Sequence, residues 1–157
     1  MAVAIRRATT IDAELLSSLN VDVQTIHWSA HPTRFKPPGP DTFPPTAAAA
    51  LLAKPDNIVF VAEVDSVPVG YAYAEVVHRP ETSFSYADDL VYLHQISVRP
   101  SHRKQGVGRA LMEVLRSAAG ERGITVLALD VWTFNEDARS FFRRQGFTSY
   151  NERLWSR

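Results

Sequence analysis

The sequence predicts one α/β domain built around a single mixed sheet with helices against it. Three observations predict this. Segments with strand-type alternation interleave with segments of helical periodicity along all 157 residues. A content of 45% hydrophobic and 10% aromatic residues suffices for one full core. No internal repeat or linker divides the chain, so residues 1–157 read as one domain.

Composition narrows the function before any motif is considered. The 17 Lys and Arg balance 17 Asp and Glu, which gives no extended basic surface for nucleic acid, so any anion site is local. There is no cysteine, which removes disulfides, thiolate metal sites and cysteine nucleophiles together. The five histidines are scattered without paired spacing, and no metal site is expected. Arg6 and Arg7 follow only a few apolar residues, too short a run for a signal-peptide core. No apolar stretch is long enough to span a bilayer. A soluble, cytoplasmic protein with no membrane partner is the expectation.

The elements follow in order. Ala2–Ala8 reads as a first strand, and Thr9-Thr10 with Asp12 and Glu14 marks a helix start running to about Trp28. Residues 29–45 hold seven prolines or glycines (Pro32, Pro37, Pro38, Gly39, Pro40, Pro44, Pro45), which exclude helix and central strand. Loops this long in compact domains carry function or are disordered. Trp28, Phe35 and Phe43 give this one something to pack with, and it reads as an ordered lid on the substrate side. Thr46–Lys54 is a short alanine-rich helix ended by Pro55 and Asp56.

Asn57–Val64 and Val67–Val77 read as an antiparallel hairpin turned at Asp65-Ser66. His78–Asp89 is a polar connection. In the next strand, Val91–Val98, the apolar positions are Val91 and Leu93, then Ile96 and Val98. The period of two slips by one residue, which predicts a bulge near His94-Gln95. Gly106–Arg122 is an amphipathic helix with Val107, Ala110, Leu111, Val114, Leu115 and Ala118 on one face, and Gly123 stops it. Thr125–Val131 is nearly all apolar, the pattern of a strand covered on both faces. Asn135 opens a helix to Gln145, Gly146 ends it, and Phe147–Leu154 is a last strand, free to pair across a homodimer.

The chemistry concentrates in Val98-Arg99-Pro100-Ser101-His102-Arg103-Lys104-Gln105-Gly106-Val107-Gly108-Arg109. A strand ends, a loop rich in donors and positive charge follows, and two glycines open a long helix. First-turn amides lack internal partners and carry the positive end of the helix dipole, so they bind phosphate. Gly106 and Gly108 let phosphate oxygens approach, and Arg103, Lys104 and Arg109 add charge. The bland reading of the same residues is a tight turn with solvated cations. A dinucleotide fingerprint needs glycine where Leu111 stands, and a nucleoside-triphosphate loop needs Gly-Lys-Ser/Thr where the chain has Gly108-Arg109-Ala110. No Gly-x-Ser-x-Gly nucleophile elbow occurs.

What remains resembles the GNAT acyltransferase superfamily. Its Gln/Arg-x-x-Gly-x-Gly/Ala signature is matched by Arg103-Lys104-Gln105-Gly106-Val107-Gly108. A second element is matched by Asn135, Ala138, Phe141-Phe142 and Gly146-Phe147. The resemblance covers nearly the whole chain. It implies a mixed, mostly antiparallel central sheet flanked by helices, with a bulged, splayed strand pair forming a slot for acyl-CoA. It implies acetyl-CoA as cosubstrate and a small-molecule or peptide amine as acceptor.

The family's roles fall on matching positions only. Backbone groups of Ile96, Ser97 and Val98 would pair with the pantetheine arm, the Val98 amide facing the thioester oxygen as charge develops. The amides of Gln105, Gly106, Val107 and Gly108 would hold the pyrophosphate, flanked by Arg103, Lys104 and Arg109. Asn135 would reach the pantetheine, with Ala138 beside it, and Phe142 would line the wall near the sulfur.

A base must free the amine's lone pair. In many relatives a Glu supplies it at the position of His94, whose imidazole suits neutral pH. His94 reads equally as a core histidine satisfied by a neighbour. Glu75 is the second candidate base, or a solvent-facing strand residue. His27 and His78 read as surface or lid residues, and Asp88 and Asp89 as a polar loop that could attract a cationic substrate. Trp28, Phe35, Phe43 and Tyr73 would wall the acceptor site. Many relatives have a tyrosine acid where Phe142 stands, so no acid acts from there; Tyr150 of the last strand could substitute, or it packs or faces solvent. The competing functional class is an acyl-CoA-binding sensor or interaction module without catalysis.

Overall fold

The strand Asn57–Val64 is apolar at almost every position because both its faces are covered. In the computed structural model, which describes residues 2–157, it is one of five strands: β1 (Val3–Arg7), β2 (Asn57–Val64), β3 (Val67–Arg79), β4 (Asp88–Val98) and β5 (Leu127–Leu129). They lie in sequence order β1-β2-β3-β4-β5, antiparallel except for the β4–β5 pair. Four helices cover the sheet: α1 (Ala13–Ala30), α2 (Pro45–Leu52), α3 (Val107–Glu121) and α4 (Glu136–Arg144). Among the described residues, no helix is long and apolar enough to cross a membrane.

Strand alternation divides the core in two. Ile58, Phe60, Ala62 and Val64 of β2 join Ala72, Ala74 and Val76 of β3 under α3, where Val107, Leu111, Met112, Leu115 and Ala119 are buried. Val59 and Val61, with Tyr71 of β3, face the other way onto Leu16 and Leu19 of α1 and Ala48 of α2. Each large side chain buried this way contributes about 1.5–3 kcal/mol relative to exposure. The crossover from β4 through α3 to β5 is what a parallel strand pair requires.

The expected hairpin forms. Asp65 and Ser66 both take positive φ (50° and 67°), the two-residue turn whose twist matches the flanking strands. Pro45 begins α2 one residue before Thr46, at the first-turn position that needs no amide donor. The 29–45 loop shortens to 31–44 because α1 runs on to Ala30. It is ordered: Phe35 N–H donates to His31 O, the Gln24 amide to Lys36 O, and Ser17 Oγ to Phe43 O.

Three expectations are corrected. The polar connection expected over 78–89 narrows to 80–87, since β3 runs to Arg79 and β4 starts at Asp88, with His78 opposite Asp89. Polar side chains fit there because this end of the ladder is exposed. Thr125–Val131 contributes only Leu127–Leu129 to the sheet. It is an edge with one partner, and Val126 and Val131 face solvent. Phe147–Leu154 forms no strand. Phe147 packs on Phe142, but residues 149–154 are exposed and offer no apolar face to bury. The strand imagined for homodimer pairing is therefore not there.

Candidate active site

The site begins with one extra residue in β4. Tyr73 pairs with Gln95 and Ala74 with Leu93, which leaves His94 as the bulged residue. Val91 N–H donates to Val126 O on the β5 side, whereas Arg99 N–H donates to Val69 O on the β3 side, at 2.7 Å. Amides alternate along a strand, so the insertion at His94 turns those of Ile96 and Val98 away from β3. Beyond Leu93 and Leu129, β4 has no partner on that edge. The two amides therefore face an opening between the strands. The same insertion keeps Ile96 and Val98 packed on the α3 core and turns Ser97 toward α1, where its hydroxyl donates to Leu19 O at 2.9 Å.

The chain then turns into α3. Among the described residues the amides of Gln105, Gly106, Val107, Gly108 and Arg109 meet no protein acceptor, and the first α3-directed bond is Ala110 N–H to Gly106 O. Five donors at a helix start form an anion cradle. Gly106 sits at φ 84°, and a Cβ added there would meet nothing within 4 Å, so the concavity is open. Lys104 also takes positive φ, 58°. The cations divide: Arg103 Nε donates to Val98 O at 3.0 Å, tying loop to strand, Arg109 pairs with Glu113, and Lys104 is exposed without a partner. Gly108 also has a reason in the packing. A Cβ there would stand 3.1 Å from the Phe141 ring, so its glycine lets α4 pack against α3.

On the α1 face of the sheet the two candidate bases meet. His94 Nε2 lies 2.7 Å from Glu75 Oε2. The His94 ring stacks on Tyr73 (4.7 Å between centroids, 18° between planes) and meets Tyr92 edge-on at 4.8 Å. Tyr92 donates its hydroxyl to Asp130, just past β5. Burial and that carboxylate push the Tyr92 hydroxyl up to about 12. Burial, then the Glu75 charge, also raise Tyr73 above the ordinary phenol range.

The sequence model of the Acetyltransferase (GNAT) family matches residues 20–147. The chain belongs to the GNAT family. It is 32% identical over 97 residues to the aminoglycoside N(6')-acetyltransferase type 1 of Klebsiella aerogenes, covering 62% of each chain. Matches to the curated relatives span about three-fifths of their length or less. Among solved structures, a mutant of protein BH1408 from Bacillus halodurans superposes with a TM-score of 0.93 at 22% identity, covering 98% of both chains. The aminoglycoside N-acetyltransferase AAC(6')-Iy, solved in complex with CoA, gives 0.74 at 22% identity over 99% of this chain and 94% of that one. Both have the same fold.

Within this GNAT domain the second motif is structural first. Asn135 caps α4, its Oδ1 accepting from Ala138 N–H at 3.1 Å, so its side chain is already partly committed to the helix start. Phe142 is buried in the α3 core between Phe141 and Phe147, with Ala138 packed against that core. Tyr150 is 74% exposed and unpaired. His78 and Asp89 form an exposed pair at the other end of the β3–β4 ladder from Ile96 and Val98, and Asp89 raises the imidazole above its usual range.

The expected aromatic wall disperses. Phe43 and Tyr73 both pack against the α1/α2 core, with Tyr73 also stacked on His94, Phe35 joins another group, and among the described residues Trp28 has no aromatic neighbour. A different cluster takes shape from His27, His31, Phe35, Trp132, Phe134 and Trp155, with Arg34 over Trp132 at 5.1 Å. His27 packs on Phe35 of the 31–44 loop and on Phe134, which agrees with the lid half of its expected reading. The cluster joins three stretches of chain, 27–35, 132–134 and 155, and no local pattern brings the three together.

Proposed function

We propose that this chain is an N-acetyltransferase, carrying the acetyl group of acetyl-CoA to a primary amine of a small molecule or peptide by direct attack on the thioester. The observation that carries it is the pairing of two sets of free amides. Ile96 and Val98 face the gap beside β4, and Gln105 to Arg109 crown α3 where Arg103 ties the loop to Val98. A long ligand with an anionic end and an amide-bearing arm fits that arrangement. Acetyl-CoA supplies the acyl group as an activated thioester. The Val98 amide is placed to stabilise oxygen charge as it develops, and His94 takes the amine proton, directly or through water.

No acid is required of this chain. A thiol resembling free cysteine, of pKa about 8.5, leaves tolerably as the thiolate, and Phe142 has no proton to give. The likeness to an aminoglycoside acetyltransferase supports a small-molecule amine acceptor. A cytoplasmic location belongs to the same reading. Calorimetric titration with CoA, then thiol release from acetyl-CoA with a panel of aminoglycosides, diamines, amino acids and peptides, tests it. CoA binding with thiol release from at least one amine is expected. Binding without turnover on any amine would favour the sensor reading, and absence of binding would remove both.

A further inference from the structure

Sequence reasoning ranks Glu75 and His94 as rival bases, but the fold makes them one unit. We propose that Glu75 is a positioning residue that holds His94 in the Nε2–H tautomer, so that Nδ1 is the nitrogen that takes the amine proton; this rests on the acetyltransferase reading above.

Three constraints converge on the His94 ring. As the bulged residue it has no cross-strand partner of its own in the β3–β4 ladder, so its side chain is free to be placed by other contacts. Tyr73 stacks beneath it and Tyr92 stands against its edge, which fixes the plane of the ring. Glu75 then fixes which nitrogen points where, at 2.7 Å from Nε2. An ionised carboxylate only accepts hydrogen bonds, so the shared hydrogen belongs to Nε2. The neutral ring is left with its lone pair on Nδ1, which has no partner among the described residues, on a side chain 34% exposed.

The charges around the ring favour this division. From β3 it faces the Glu75 carboxylate and the Tyr73 hydroxyl; from β4 it faces Tyr92, whose hydroxyl donates to Asp130 beyond β5. Asp130 is thus occupied by Tyr92, and Glu75 is the carboxylate in contact with the imidazole. When Nδ1 takes the amine proton, the amine electron pair forms the new N–C bond. The C–S bond breaks with its pair on sulfur, which is protonated from solvent. The imidazolium so produced rests against Glu75, a charge-assisted contact stronger than the neutral one.

Two readouts test the pair on the full chain. Long-range 1H–15N correlation NMR of the imidazoles, with His94 assigned by its loss in His94→Gln, reads the tautomer without any substrate. A protonated Nε2 and an unprotonated Nδ1 are expected, with the two tautomers mixing in Glu75→Ala. The pH profile of kcat/KM, followed by thiol release, should lose its acidic limb in His94→Gln with a fall of about 100-fold or more. In Glu75→Gln the plateau should fall about 10-fold, with KM for acetyl-CoA and the thermal midpoint unchanged. His94 protonated on Nδ1, or an unchanged plateau in Glu75→Gln, overturns the proposal. Absence of thiol release from the unmutated chain overturns the acetyltransferase reading instead, while the tautomer still decides whether Glu75 sets the ring.

Discussion

Gly70→Ala probes the joint on which the site depends. Gly70 of β3 stands opposite Val98 in the ladder. A Cβ added there would lie 2.7 Å from Ser97 O and 3.4 Å from Val98 Cα. Both are backbone, and neither is free to yield. Ser97 is anchored to Leu19 O at 2.9 Å, and Arg99, two residues on, to Val69 O at 2.7 Å. Ordinary contact begins near 3.4 Å, so the strands must part by roughly 0.7 Å, and overpacking of this kind costs about 1–3 kcal/mol. Relief of glycine's entropy in a strand returns about 0.5–1 kcal/mol, leaving a net loss of about 1–2 kcal/mol.

For a chain of this size, at about 2–4 °C per kcal/mol, the thermal midpoint should fall by roughly 2–8 °C. In urea the midpoint concentration should drop with the slope unchanged. CoA affinity should drop as well, because the strand that moves carries the Val98 amide. Gly39→Ala is the control, since nothing lies within 4 Å of its added Cβ, and it should unfold with the unmutated chain. A Gly70→Ala protein with an unaltered urea midpoint would refute the close approach of β3 and β4 at Val98.

Other perturbations read other parts of the fold. Asn135→Ala removes the α4 cap and should cost about 1 kcal/mol in urea unfolding, independently of any effect on CoA binding. Phe142→Ala should cost about 3–5 kcal/mol by emptying a core position, so its effect should appear in stability before cofactor affinity; an unchanged urea midpoint would contradict its burial. Tyr150→Phe should leave kcat within about two-fold, since its hydroxyl has no partner; a large fall at constant CoA affinity would make Tyr150 the acid. Hydrogen bonds from Arg6 hold the Asp12 carboxyl below the usual range. A lowered folded-state value gives stability that is present above the ordinary carboxylate range and lost as pH falls through the lowered one. The acid limb of the thermal midpoint against pH should therefore flatten in Asp12→Asn.

How much of this was legible depends on the distance over which the information is carried. The Asp65-Ser66 turn and the Asn135 cap involve neighbours three residues apart or fewer, and the sequence states them. The arrangement at Gly108 is less direct: glycine there is compatible with a phosphate or with a neighbouring ring, and only the return of α4 brings Phe141 to it. Glu75 and His94 are further still. Glu75 sits opposite Tyr92, and the bulge carries His94 past its regular partner, so their contact is diagonal and depends on a register that neither strand encodes alone. Trp155 meeting Trp132 and His31 depends on the path of a tail without secondary structure.

The bulge itself was legible because it leaves two signatures that agree. In the side chains, Val91 and Leu93 give way to Ile96 and Val98, so the apolar face survives the insertion only if one residue is skipped. In the backbone, that skipped residue reverses which edge receives the amides, so that Val91 donates toward β5 and Arg99 toward β3. Without it, Ile96 and Val98 would spend their amides on β3 and turn their side chains toward α1. The position that opens the slot is also the position that projects His94 onto Tyr73 and Glu75. The edge-facing amides of Ile96 and Val98 and the placement of His94 are thus set by a single backbone event, and hydrophobic patterning suffices to fix it because any other register would put Ile96 and Val98 on the wrong side of the sheet.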